Sequence, residues 1–308
     1  MDSDVRLLTG QPLAERVLSD VARRADHLRA HGVWPTLALV SVGDDPASRV
    51  YLARKQKEGE RAGLNVRTAA FAADASPGAV LGAIDELASD RGVHGILLQM
   101  PLPAGWPSSD LQLAIPPSKD VDGFHPENLG RLAQGLPGFV ACTPLGILGL
   151  LRHYEIPLAG RPVTIVGRSA IVGTPLALLL SRKGVDATVT VAHSRTPDLA
   201  AVCRTADVLV VAMGRPRAIG AAHVKRGATV IDVGIHRVPE AGDAARTRLV
   251  GDVDADPLRT VAGAISPVPG GVGPLTVAYL LSNTLDAAEQ AARAAGVVVG
   301  EAHAKEVP

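Results

Sequence analysis

The chain has 308 residues, 47% of them hydrophobic, enough for two domains that each bury a core. Its 31 basic residues balance 31 acidic ones and aromatics make up only 3%, so charge and stacking surface both argue against a nucleic-acid partner. The opening residues MDSDVRLLTG lack a secretion-signal pattern, no apolar run reaches the roughly 18 residues of a membrane span, and Cys142 and Cys203 lack metal spacing. The expectation is a cytoplasmic protein with reduced structural thiols, no membrane contact and no metal.

Pro12–Ala30 carries Leu13, Val17, Val21, Ala25 and Leu28 at helical spacing and stops at Gly32. Thr36–Val42 (TLALVSV) is a β-type run followed by the turn residues GDDPAS. Ala47–Ala62 predicts a polar helix, Asn65–Phe71 a strand, and Pro77–Ser89 a helix with Val80, Leu81, Ile84 and Leu87 on one face. His94–Met100 (HGILLQM) predicts a strand halted by Pro101 and Pro103. This alternation implies a parallel α/β unit. Gly105–Gly138, rich in proline and glycine, holds short helices at most, and Thr143–Tyr154 predicts a helix linking two domains.

A second alternation follows. Strands are expected at Val163–Val166, Ala187–Ala192, Asp207–Ala212, Ala228–Val233 and Val261–Ile265, with a helix at Thr174–Arg182. Arg237–Arg248 reads as a polar surface loop, Val277–Ala295 as a final helix, and the tail after Gly296 as loosely ordered. The fold class is α/β: two α/β domains with a cleft between them. Residues 1–145 form the first, completed by a C-terminal helix within 275–308, and residues 146–274 form a Rossmann-like second.

Chemistry concentrates in a few stretches. PVTIVGRSAIVGTP, Pro162–Pro175, reads as buried strand, glycine turn and helix, with Pro175 in the helix's first turn. Such a turn aims backbone N–H groups and the positive helix end at one point, where a phosphate sits well. Ser169 stands where the second glycine of G-x-G-x-x-G would be. The next strand ends Ala192, His193, Ser194, Arg195, without the carboxylate that binds the ribose hydroxyls of NAD. Ser194, Arg195 and Arg168 instead suit a 2′-phosphate, which favours NADP.

Tyr51 and Lys55 stand four apart and share a helix face. A Y-x-x-x-K pair invites a short-chain dehydrogenase reading, but here it precedes the glycine turn rather than following it. Gln99 ends an apolar strand, where the carboxyl ends of parallel strands face a ligand crevice. Asp122 lies in KDVDG, beside Asp120, which reads as a cap or an ion pair with Lys119. SPVPGGVGPLT makes a shaped backbone that a ligand can approach, or a hinge. No G-x-S-x-G elbow appears, so a hydrolase triad is not expected.

Together these stretches resemble one family, the bifunctional methylenetetrahydrofolate dehydrogenase/cyclohydrolases. SRVYLARKQK, GILLQMPLP, KDVDGFHPENLGRL, CTPLGIL, LAGRPVTIVGRSAIVGTPLALLL, TVTVAHSRT, ADVLVVAMGRP and SPVPGGVGPLTVAYLL occur in the family's order over about residues 5–290. The resemblance implies NADP-dependent oxidation of 5,10-methylenetetrahydrofolate to the methenyl cation, then hydrolysis to 10-formyltetrahydrofolate, in one-carbon metabolism, by a metal-free homodimer. It makes residues 1–145 a folate-binding catalytic domain and 146–274 an NADP-binding one. It assigns catalysis to Lys55, Tyr51, Gln99 and Asp122, with Pro269 and Gly273 also at the folate. It maps nucleotide contacts onto Gly167, Arg168, Ser169, Gly173, Ser194 and Ile235, beside Arg195. Two departures, Ala141 where proline is frequent and His236 where asparagine is common, miss the four catalytic positions. Other readings stay open: a monofunctional dehydrogenase of this family, an NADP-dependent dehydrogenase of another small substrate, or a non-catalytic nucleotide-binding protein.

Overall fold

This computed structural model describes residues 5–240 and 243–297. The chain divides into two compact units. Of the described residues, one comprises Glu15–Cys142 and those from Val277 on; the other comprises those up to Ala14 and Thr143–Thr276.

After the short strand β1 (Arg6–Leu7), helix α1 (Gln11–Ala30) runs to a turn where Gly32 takes a φ of 79°. Only glycine adopts that left-handed geometry without strain. Strand β2 (Thr36–Val42) is buried at every position, as a central strand covered on both faces must be. Helix α2 (Pro46–Arg61) starts at Asp45, whose Oδ2 accepts from the Ser48 N–H at 2.7 Å. Strand β3 (Asn65–Phe71), helix α3 (Pro77–Ser89) and strand β4 (Gly95–Leu98) complete a parallel sheet in the order β3-β2-β4. Its core gathers Ala38, Val40, Ile84, Ile96 and Leu111. The proline- and glycine-rich stretch forms only α4 (Ser108–Leu113) and α5 (Pro126–Gln134), and α6 (Cys142–His153) follows.

The second alternation is β5 (Pro162–Val166), α7 (Gly173–Ser181), β6 (Thr188–Ala192), α8 (Leu199–Cys203), β7 (Val208–Val211) and β8 (Thr229–Asp232). Then come β9 (His236–Glu240), β10 (Asp243–Val250), α9 (Ala255–Leu258), β11 (Ala264–Ile265) and the long α10 (Gly273–Ala294). The six-stranded sheet runs β1-β11-β8-β7-β5-β6, all parallel. In the other unit, α10 is tied to α1 by Arg24, which bonds Asp286 at 2.7 Å and Glu289 at 2.9 Å.

The structure corrects three expectations. The residues up to Ala14 belong with the six-stranded sheet, not with the first domain, because Arg6 N–H bonds the Gly263 carbonyl at 3.1 Å and Leu8 N–H that of Ile265 at 2.9 Å. Arg237–Arg248 is not a surface loop but lies in the antiparallel hairpin β9–β10. Apolar and polar residues mix on each face, as Val238 pairs with Arg248 and Leu249 with Arg237, so no clean period of two shows in the sequence. The last four residues of SPVPGGVGPLT are already the first turn of α10. The tail after Gly296 falls, from residue 298 on, outside the described residues. Among the described helices none is long and apolar enough to cross a membrane.

Candidate active site

Four places in the first unit deliver the polar residues of the site. Lys55 lies mid-way along α2, Gln99 follows β4, Asp122 lies in the turn before α5, and Cys142 opens α6. Gln99 is aligned by its backbone: its N–H bonds the Val40 carbonyl at 2.8 Å, extending the β4–β2 ladder by one residue. Its side chain is held at both ends. Nε2 donates to the Met100 carbonyl at 2.6 Å, which leaves Oε1 to accept from Lys55 Nζ at 2.9 Å. An amide oxygen at that point steers the lysine without adding a charge.

Lys55 is half-buried, and burial lowers its pKa below 10.5, opposed by the neighbouring Asp122 and Cys142. Asp122 is moved the other way: burial raises its carboxyl, against the pull of Lys55. Both shifts run towards the neutral forms, and both have burial as their largest cause. The turn carrying Asp122 is rigid. Gly123 has a φ of 74°, and a Cβ there would lie 2.5 Å from the Ala141 nitrogen, so only glycine fits. Cys142, 1% exposed, donates to the Val121 carbonyl at 3.4 Å, next to Asp122 in the chain. Burial pushes its thiol up. Asn283 Nδ2 donates to the same Val121 carbonyl at 2.8 Å. Tyr51, on the Lys55 face of α2, is 37% exposed.

Asp120 does not pair with Lys119. Its carboxylate accepts from the N–H groups of Phe124 at 3.1 Å and His125 at 2.8 Å and from Asn128 Nδ2 at 2.9 Å. Lys119 instead donates to the carbonyls of Leu87 and Ala88 in the last turn of α3 and of Asp90 just past it. A groove of about 410 Å³ opens at the carboxyl ends of β2 and β4, lined by Ser41, Arg49, Leu52, Gln56, Thr68 and Gln99.

The second unit holds the glycine turn. Gly167 has a φ of 135°, and a Cβ there would overlap the Ala212 carbonyl oxygen. A Cβ on Gly173 would overlap the carbonyl of Gly167. Two N–H groups of this turn, those of Val172 and Gly173, point inward to Ser169 Oγ at 3.1 and 3.4 Å. Ser169 thus stands in for the missing glycine by bracing the turn. Parallel pairing puts Val166 beside Ala192, so Arg168 and the exposed Ser194 and Arg195 leave adjacent strands at one edge. Ile235, 42% exposed, follows β8, and Pro269 and Gly273 lie after β11. The turn is shaped by close packing on its own backbone, at the carboxyl end of β5, the end at which parallel α/β sheets take their ligands.

Sequence reading missed Asp232 and Asp252, two buried carboxylates at the ends of β8 and β10. It also missed a histidine pair. His27 and His31 stack with ring centroids 4.6 Å apart, and His31 Nδ1 bonds the His27 carbonyl at 2.8 Å. Among the described residues no three His, Cys, Asp or Glu side chains form a metal-holding group.

Residues 8–122 match the family description "Tetrahydrofolate dehydrogenase/cyclohydrolase, catalytic domain", and residues 141–292 match its "NAD(P)-binding domain". The chain is similar to the bifunctional protein FolD of Treponema pallidum, 54% identical over 290 residues, covering 94% of this chain and 92% of that one. Among solved structures it resembles the bifunctional enzyme FolD, methylenetetrahydrofolate dehydrogenase/cyclohydrolase, of Campylobacter jejuni at 40% identity and a TM-score of 0.87, over 93% and 99% of the two chains. It also resembles the Trypanosoma brucei enzyme complexed with NADP cofactor and inhibitor, at 34% identity and a TM-score of 0.89, over 94% and 99%.

Proposed function

The chain belongs to the tetrahydrofolate dehydrogenase/cyclohydrolase family, and from that premise we propose that it oxidises 5,10-methylenetetrahydrofolate to the 5,10-methenyl cation with NADP and hydrolyses that cation to 10-formyltetrahydrofolate. The observation that carries both steps is the Lys55–Gln99 hydrogen bond beside Asp122, in which burial disfavours the charged lysine.

NADP, when bound, supplies the hydride acceptor. The residues for it are Gly167, Arg168, Ser169, Gly173, Ser194, Arg195 and Ile235, with Arg168, Ser194 and Arg195 at the 2′-phosphate. The protein's part in oxidation is to align the one-carbon bridge and exclude water until the hydride has left. Asp122 accepts hydrogen bonds from the amino and ring N–H groups of the pterin, Tyr51 stacks on the ring system, and Pro269 and Gly273 border the substrate.

Hydrolysis begins when a water oxygen attacks the methenyl carbon and passes one proton to neutral Lys55 Nζ, from which it leaves to solvent. The resulting hydroxyl then gives up its proton, its oxygen becomes the formyl carbonyl, and the bond from carbon to N5 breaks. Lys55 carries that second proton to N5. Gln99 Oε1 holds one N–H of the amine, which keeps its lone pair aimed at the water. A homodimer in the cytoplasm completes the reading, and the buried free thiols Cys142 and Cys203 suit a reducing compartment.

The test is a steady-state assay with methylenetetrahydrofolate and either NADP or NAD, following reduced nucleotide and acid-quenched methenyl product together. NADP-dependent turnover with accumulating 10-formyl product is the expected result. Methenyl compound that decays no faster than without enzyme removes the hydrolytic half, and no turnover with either nucleotide removes the whole.

A further inference from the structure

Ligands of parallel α/β sheets sit at the carboxyl ends of the strands, so the chain leaving β7 and β8 forms the rim of the nucleotide site. The backbone N–H groups of the β7 loop converge on one side chain. Asp252 Oδ2 accepts from Met213 at 2.7 Å and Gly214 at 3.0 Å, and Oδ1 accepts from Arg215 at 2.8 Å. The fourth donor is His236 Nε2, 2.7 Å from Oδ1. Asp252 is 0% exposed, so this carboxylate is buried and satisfied by three backbone donors and one imidazole.

A second carboxylate fixes the first. Asp232 Oδ1 accepts from the N–H groups of Gly234 at 3.0 Å and Asp252 at 2.9 Å, and Oδ2 accepts from Val253 at 3.0 Å. No side chain fits at either neighbouring glycine: a Cβ on Gly234 would overlap Asp252, and one on Gly251 would overlap Asp232. The two carboxylates thus tie together the rim after β7, the rim after β8 and the chain after β10. His236 adds a side-chain tie from the β8 rim to Asp252, and it directly follows Ile235, which stands exposed on that rim.

We propose that His236 and Asp252 are positioning residues for NADP: their hydrogen bond ties the Met213–Arg215 loop to the residue next to Ile235 and so helps to preset the rim that meets the nucleotide. This rests on the proposed NADP-dependent function. Neither residue takes part in proton or hydride transfer. Removing the imidazole leaves the buried carboxylate one donor short and takes away the side-chain tie beside Ile235, while the Gly234–Asp232 bond remains.

The experiment titrates NADP into the full-length wild-type, His236→Ala and His236→Gln proteins by calorimetry. It also measures dehydrogenase KM and kcat, methenyltetrahydrofolate hydrolysis without nucleotide, and the melting temperature. Gln places a side-chain N–H close to the Nε2 position, whereas Ala removes it. The expected result for His236→Ala is an NADP dissociation constant and KM raised on the order of 10-fold, with kcat changed far less. Hydrolysis without nucleotide stays at wild-type rate, and His236→Gln recovers most of the affinity. Wild-type affinity in a folded His236→Ala protein overturns the proposal. So does an affinity for His236→Gln no better than for Ala, or a parallel loss of hydrolysis and melting temperature, which marks general destabilisation. If the wild type itself takes up no NADP, the underlying functional reading fails instead.

Discussion

The two units solve different chemical problems with different means. In the unit with the three-stranded sheet, the residues that matter are side chains whose charge is under pressure. Lys55 is pushed towards its neutral amine and Asp122 towards its neutral acid, both by burial, while a neutral amide, Gln99, holds the lysine. In the unit with the six-stranded sheet the work is done by backbone. Gly167 and Gly173 leave no room for a Cβ, Ser169 braces the turn, and two carboxylates pin the loops at the strand ends. Moving a proton needs a pKa that burial can set. Binding a nucleotide needs a rigid surface of N–H groups that is shaped before the ligand arrives. Each unit should therefore be breakable without the other.

The sharpest break is Lys55→Met, which keeps the length of the side chain and removes its proton chemistry. General acid–base groups contribute roughly 100- to 10,000-fold, so methenyltetrahydrofolate hydrolysis falls by that factor while NADP affinity, measured by calorimetry, stays at the wild-type value. Hydrolysis at the wild-type rate in this variant sinks the assignment of Lys55.

Gln99→Glu keeps the shape of the amide but sets a carboxylate 2.9 Å from the amine. A facing anion favours the ammonium and raises a pKa by about 1–3 units. In the proposed mechanism the base form of Lys55 is the active one, so hydrolysis should rise with pH through the lysine's pKa. In Gln99→Glu that rising limb shifts to higher pH, and the rate at pH 7 falls on the order of 10-fold or more. An unmoved limb in the pH–rate profile contradicts the role given to Gln99.

The matching break in the other unit is Arg195→Ala. A charge-assisted hydrogen bond contributes about 1.5–3 kcal/mol, so KM for NADP rises roughly 10- to 100-fold while KM for NAD and the hydrolysis rate hold. Equal effects on both nucleotides place Arg195 away from the 2′-phosphate.

The contrast also explains what was legible in the sequence. The strands Thr36–Val42 and Asn65–Phe71 are readable to the residue, because one is a continuous apolar run and both are bounded by turn residues. Gln99 and Asp122 stand out as polar residues in apolar or glycine-rich settings, whereas Lys55, on a polar helix, shows only through its spacing from Tyr51. The glycine turn announces itself by composition. The Asp232–Asp252–His236 network does not. Asp252 serves N–H groups of residues 213–215, far off in the chain, and in GDVD it looks like any turn carboxylate. β1 is too short, at two residues, to show a period, and it pairs with β11 at the opposite end of the sequence. The β9–β10 hairpin mixes polar and apolar residues on each face, so alternation does not give it away. What fails to show is what depends on distant backbone rather than on local pattern.

The smallest expected effect concerns stability in the first unit. His94 is 7% exposed, and its Nδ1 accepts the Thr36 N–H at 3.2 Å at the start of the central strand. Only neutral imidazole has that acceptor. Burial, helped by the nearby Lys119, holds its pKa below the usual 6.5. In the window between the lowered value and 6.5 the unfolded chain binds the proton and the folded chain does not. Stability therefore rises with pH across that window and is lost as pH falls from 6.5, with a slope of at most about 1.4 kcal/mol per pH unit. Asn at position 94 keeps an acceptor near the Nδ1 position but cannot titrate. Urea unfolding of the wild type and His94→Asn from pH 4 to 8 should give curves that run parallel above 6.5 and converge or cross below it, as the wild type alone loses stability. Curves parallel over the whole range would mean that His94 takes up its proton equally in both states, and that the strand does not depend on a neutral ring.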